Sequence, residues 1–197
     1  MKKILIPFLA IFLCLISSIL SYAEKISTDL KENIFRIHII ANSDNIQDQK
    51  LKLQIRDNIL NYFSKQNLSF SNIEECIEYY NNNIGKINEI VQNTLNEYGF
   101  NYGFNSKICK SYFPKKDYDY FSLPTGTYNC LKIELGAASG QNWWCVLYPN
   151  LCITDLNTTQ ESKTLLENTV STASYNAITN NISYKFKIVE YIQKLKY

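Results

Sequence analysis

The spacing of hydrophobic positions changes from segment to segment along this chain, and each change predicts a different element. Ile4 to Leu20 is an apolar run broken only by Pro7 and two serines, near the shortest length that can cross hydrocarbon. Ile34-Phe35-Arg36-Ile37-His38-Ile39-Ile40 alternates, which predicts a strand burying Phe35, Ile37 and Ile39, with Arg36 and His38 together on the opposite face. Asn42-Ser43-Asp44 ends that strand, and Asp44 with Gln47 reads as a capping box for the helix that follows. Leu51, Ile55, Ile59, Tyr62 and Phe63 recur at helical spacing and carry this helix to about Lys65.

Ser71 with Glu74 forms a second box. Ile73, Ile77, Tyr80, Ile84, Ile87, Val91 and Leu95 then step by three and four until Gly99 stops the helix. A short loop between two such helices predicts an antiparallel pair. Beyond Gly99 the period shortens. Ser106–Phe113, Tyr128–Leu135 and Trp143–Tyr148 read as strands. Pro114–Thr127 reads as a long loop, and Gly136–Gly140 as a flexible connector. Asp155–Asn181 is polar with weak helical character, and Lys185–Leu195 is a short amphipathic close. The sum is an α+β fold: an N-terminal strand, an antiparallel helix pair, a small mainly antiparallel sheet and a short C-terminal amphipathic element.

The flanks of the first apolar run change its meaning. Met1-Lys2-Lys3 is a basic start, and Ser21-Tyr22-Ala23 places small residues where signal peptidase requires them. Residues 1–23 therefore read as an export signal cleaved after Ala23, with a retained anchor as the alternative, and residues 24–197 as a single α+β domain. A lipoprotein signal is ruled out, because Ile11-Phe12-Leu13 precede Cys14 where small residues are needed.

Composition adds exclusions. Hydrophobic content of 46%, with 14% aromatics, supplies a packed core. The net charge is only +2 and the lysines are scattered, unlike the basic stripe of a nucleic-acid binder. His38 is the sole histidine, and neither a Gly-x-Ser-x-Gly nor a His-Glu-x-x-His motif occurs. A metal site would lack a second imidazole. Gly136–Gly140 lacks the lysine of a phosphate-binding loop. No enzyme activity, cofactor, metal or small-molecule substrate is expected. The alternative is a secreted cysteine hydrolase with Cys145 as nucleophile and His38 as base, and a cell-surface structural protein is a third reading.

With Cys14 in the export segment, Cys76, Cys109, Cys130, Cys145 and Cys152 remain, an odd number. Cys145 and Cys152 either bridge through a loop wider than a two-residue turn or stay as buried thiols. Trp143 and Trp144 must point to opposite faces of their strand. One belongs to the core, and the other is either covered or available to a partner.

Several of these segments together resemble the stage II sporulation protein R family. Phe35-Arg36-Ile37-His38-Ile39-Ile40-Ala41-Asn42-Ser43-Asp44, running into Asp48-Gln49-Lys50-Leu51-Lys52-Leu53-Gln54-Ile55-Arg56-Asp57, is similar to its opening motif. Leu123-Pro124-Thr125-Gly126-Thr127-Tyr128 resembles its L-P-x-G-x-Y segment. Asn142-Trp143-Trp144-Cys145-Val146-Leu147-Tyr148-Pro149-Asn150-Leu151-Cys152 resembles its N-W-W-C-containing segment, and Phe186-Lys187-Ile188-Val189-Glu190 its ending. Asn150 departs from the pattern, which has a second proline there.

The resemblance implies a signalling protein made in the forespore and exported into the space between the two membranes. There it would activate the membrane-embedded aspartic protease of the mother cell that processes the sigma-E precursor. On that reading Arg36, His38, Asn42, Asp44, Trp143 and Trp144 carry partner recognition, with helix capping as the alternative role of Asn42 and Asp44.

Overall fold

The computed structural model describes residues 2–66, 68–152 and 159–179. In chain order the elements are α1 (Lys2–Asn33), β1 (Phe35–Ile40), α2 (Ile46–Ser64), α3 (Ile73–Asn82), α4 (Ile84–Glu97), β2 (Phe104–Phe113), β3 (Lys116–Asp117), β4 (Ser122–Leu123), β5 (Gly126–Leu135), β6 (Asn142–Tyr148), α5 (Thr159–Thr169) and α6 (Thr172–Thr179). The class is α+β. The described residues fall into two compact units, one of residues 31–66, 68–112, 127–152 and 159–169, the other of residues 2–30, 113–126 and 170–179.

In the larger unit the sheet order is β2-β5-β1-β6. The earliest strand in the chain is therefore an inner strand, flanked by two strands from much later. β1 runs parallel to β5, pairing Phe35 with Asn129 through Ile40 with Glu134. It runs antiparallel to β6, where Ile37 faces Cys145 and His38 faces Trp144. An inner strand can be covered on both faces, and every residue from Phe35 to Ile39 is buried.

One face of β1 carries Ile37 and Ile39 into a core with Leu131, Ile133, Leu135 and Leu147 of the neighbouring strands. Leu51, Ile55, Ile59 and Phe63 of α2 close this core together with Ile87, Val91 and Leu95 of α4. The apolar stripe expected from residue 73 to residue 95 is present, but its helix is divided. Asn83 is at once the C-cap of α3 and the start of α4, and its Nδ2 donates to the Tyr79 carbonyl at 2.8 Å. Local hydrogen bonding by an asparagine side chain interrupts the helix without displacing the stripe.

The caps also move by one residue. Asn45, not Asp44, caps α2, its side chain accepting from Gln47 N at 3.0 Å. Asn72 caps α3 by accepting from Glu75 N at 2.9 Å, while the Glu75 carboxylate accepts from Ser71 N at 2.8 Å. The cap is shifted one place from Ser71 and Glu74, and the Glu75 carboxylate reaches the amide just before the cap rather than that of the cap itself. Gly99 does end α4, with φ of 73°. Phe100 N donates to Leu95 O and Gly99 N to Asn96 O, which is the Schellman arrangement that needs a left-handed residue.

In the smaller unit, α1 exposes the apolar side chains Ile6 to Tyr22 and buries Ile26 and Leu30 further on. Asp29 accepts from both the backbone and the hydroxyl of Ser171. The Pro114–Thr127 segment, expected as a loop, contains the β3–β4 pair, with Lys116 opposite Leu123 and Asp117 opposite Ser122. The weakly helical Asp155–Asn181 stretch contains α5 and α6. The expected amphipathic segment at Lys185–Leu195 lies outside the described residues.

Candidate functional site

The junction between β1 and α2 is where the first motif becomes geometry. As β1 ends at Ile40 the chain still carries unpaired backbone groups, and the β5–β6 connector satisfies them. Gly140 N donates to Ala41 O at 3.0 Å, and Ser139 N and Oγ both donate to Asn42 O at 3.1 and 2.7 Å. Ala137 N donates to Asn42 Oδ1 at 2.9 Å, and Gln141 N to Asp44 Oδ1 at 2.8 Å. The glycines allow the approach: a Cβ on Gly136 would strike the Asn42 side chain, and one on Gly140 the Ser43 carbonyl. The connector expected to be flexible is thus held along its length, because it takes over the hydrogen bonding of a strand end.

Asp48 supports this junction from below. It is buried on the first turn of α2 and accepts from Asn42 Nδ2 at 2.8 Å, Ser43 Oγ at 2.5 Å and Tyr102 OH at 2.8 Å. Burial alone would raise its pKa, but the donors from Ser43, Asn42 and Tyr102 outweigh it and hold the carboxyl below its ordinary value. Lys52, one turn on and also buried, donates to Gln141 O at 2.8 Å and Gln49 Oε1 at 2.6 Å. Desolvation lowers the pKa of this amine, partly opposed by Asp44. Asp48, Lys52, Ser43 and Tyr102 were not singled out from the sequence. The available signal was two charged residues, at positions 48 and 52, on the same stripe as Leu51, Ile55 and Ile59.

Arg36 and His38 do share the face of β1 opposite Ile37, as expected. Both are nonetheless buried. β1 is an inner strand, and side chains from its neighbours close over the second face. The Arg36 guanidinium lies over the Tyr128 ring at 4.9 Å, joining the first motif to the L-P-x-G-x-Y segment. His38 Nε2 sits 2.6 Å from Asn142 Oδ1, and its ring lies 5.8 Å from that of Trp144. Burial, seconded by Lys132 and Arg36, pulls the His38 pKa below its usual value despite the Asn142 hydrogen bond. The imidazole is neutral at pH 7.

Trp143 and Trp144 are both half-buried and divide between the two faces. Trp143 packs against the helix-covered core with Arg56 5.3 Å over its ring, and Trp144 joins His38. Cys145 is bridged to Cys152 with Cα atoms 6.2 Å apart. The Cys145–His38 hydrolase is thereby overturned. Its sulfur is bonded, and Cys145 faces Ile37 while His38 points through the other side of the sheet. Among the described residues, no cluster of three His, Cys, Asp or Glu side chains could hold a metal ion.

The candidate site is therefore the outer surface of the pinned junction. Asp44 is exposed and Asn42 half-buried, next to the outward residues of α2, of which Ile46 is 71% exposed. Trp143 and Arg56 lie on the same helix–strand border.

No solved structure matches the chain. The protein called stage II sporulation protein R in Bacillus subtilis (strain 168) is 33% identical over 165 residues, covering 80% of this chain and 74% of that protein. The family model described as stage II sporulation protein R matches residues 31–158, which include β1, the pinned junction, the Arg36–Tyr128 contact and the Cys145–Cys152 bridge. On that match and that relative, the chain belongs to the stage II sporulation protein R family.

Proposed function

We propose that this protein is an exported sporulation signal that activates a membrane-embedded aspartic protease by docking to it, so that the protease removes the pro-sequence of sigma-E. The observation that carries the reading is the family match over residues 31–158 directly behind an apolar helix long enough to cross a membrane. The exposed apolar side chains of α1 support export from the forespore into the space between the two membranes. Processing after Ala23 would leave Ile26 and Leu30 in place to pack.

Docking is assigned to the outer surface of the junction. Asp44, Ile46 and Leu53 supply exposed polar and apolar contacts, with Trp143 at the border and Trp144 on the other face of β6 beside His38. Arg36, His38 and Asn42 hold that surface in shape from within.

The test is reconstitution in a non-sporulating host that expresses the protease and the sigma precursor. Processing is expected with the full chain and not with a chain lacking residues 2–23. Ile46→Glu, at a position too exposed to matter for folding, is expected to cut processing severalfold with export unchanged. Undiminished processing by the unexported chain would remove the reading.

A further inference from the structure

β2 and β5 are neighbours in the sheet. Gly136 N donates to Gly103 O at 2.8 Å and Asn105 Nδ2 to Glu134 Oε2 at 3.1 Å, and the same antiparallel register sets Cys109 on β2 across from Cys130 on β5. Both are free thiols, Cys130 buried and Cys109 partly exposed on the edge strand. Cys76 is also free, but it belongs to the core between sheet and helices. Residues across from one another on adjacent strands lie within the Cα–Cα range a bridge requires. The Cys145–Cys152 bond shows that the same unit accommodates a disulfide.

We propose that Cys109 and Cys130 are a thiol–disulfide exchange site that closes a second, reversible bridge in response to a disulfide oxidant. The accessible Cys109 thiolate attacks one sulfur of the oxidant RSSR, forming Cys109–S–SR and releasing one RSH with the proton that Cys109 gave up. The Cys130 sulfur then attacks the Cys109 sulfur and expels the second RS–, which takes the Cys130 proton. The protein dithiol is oxidised by two electrons and RSSR is reduced to two RSH. Burial pushes the Cys130 thiol up, opposed by the positive charges of Lys132 and Arg36, which slows its attack in the second step. The bridge would tie edge strand β2 to β5. When it forms in the cell rests on the export proposed above, since disulfides persist outside the cytoplasm. The chemistry itself does not depend on export.

The full chain in detergent micelles, equilibrated against graded ratios of oxidised and reduced glutathione and then alkylated, tests this directly. The expected product has lost about 2 Da relative to the form with a single bridge. It yields a cross-linked peptide containing Cys109 and Cys130, and its thermal midpoint rises by roughly 5–10 °C. Cys130→Ser is expected to stop at a glutathione adduct on Cys109. If that variant fails to fold, the wild-type mapping decides alone. Thiols at 109 and 130 that stay alkylatable at every ratio would overturn the proposal, as would a stable adduct on wild-type Cys109 or a bridge to Cys76. None of these results bears on sigma-factor processing, so failure here is distinguishable from failure of the signalling reading.

Discussion

The two faces of β1 are buried alike and built differently. Ile37 and Ile39 enter a core closed by α2 and α4, where stability comes from area removed from water and from dense packing. Arg36 and His38 enter a polar face, where each side chain is held by a specific neighbour: Tyr128 under the guanidinium, Asn142 at the imidazole. Apolar burial is non-directional and tolerates exchange of similar volumes. Polar burial is directional and fails when one partner is removed. The family's opening motif alternates the two kinds along one strand, so a single element anchors the helix layer on one side and the β5–β6 end of the sheet on the other.

That contrast can be broken in order of size. Ile37→Ala should have the largest effect, a loss of about 3–4 kcal/mol from a fully buried site, read as a lower urea midpoint by tryptophan fluorescence. If the loss were below about 1 kcal/mol, the helix-covered side would not be the main source of stability.

Asp48→Asn should come next, at about 2 kcal/mol, because a buried carboxylate accepting from Asn42, Ser43 and Tyr102 is replaced by an amide that accepts through one oxygen only. Amide hydrogen exchange should quicken at residues 137–141 and not in α4. Uniform quickening across the unit would show that Asp48 is not specific to the junction.

The smallest effect belongs to His38. Its folded pKa lies below the unfolded value of 6.5, so the unfolded chain binds the proton more readily. Stability from this residue is complete above pH 6.5 and is lost as pH falls from there toward the folded pKa. The thermal midpoint should decline over that interval in the wild type and decline less in His38→Gln. Identical profiles would mean that the polar face tolerates a charged imidazole.

Much of this was legible in the order of residues. Alternation placed β1 to within one residue, and the stripe from Ile73 to Leu95 located the helical segment and its end at Gly99, though as one helix where the structure has two. The adjacent tryptophans did divide between faces, and the Cys145–Cys152 bridge was one of two stated outcomes. The burial of Arg36 and His38 was not legible, because alternation says which side a residue takes and nothing about what will cover that side. Asp48 was missed for a related reason. Its partners Asn42 and Ser43 are near in sequence, but Tyr102 is not, and the Gly136–Gln141 connector that the network steadies is further still. The one-residue cap shifts were decided by which asparagine oxygen met a free amide, and the Asn83 interruption goes with an asparagine amide bonded to the Tyr79 carbonyl, a competition among near-equal local options.

By itself, then, the order of residues determined the α+β class, the segments that bury an apolar stripe, the export-like start and the motifs that mark the family. Those follow from periodicity and local chemistry, which act over a few residues. Only the tertiary structure decided that the first strand lies between the fifth and sixth, that its polar face is sealed, and that Asn42 meets the 136–141 connector while Cys109 meets Cys130. Pairings between segments far apart in the chain are chosen by the packing of the whole unit, and no local pattern encodes them.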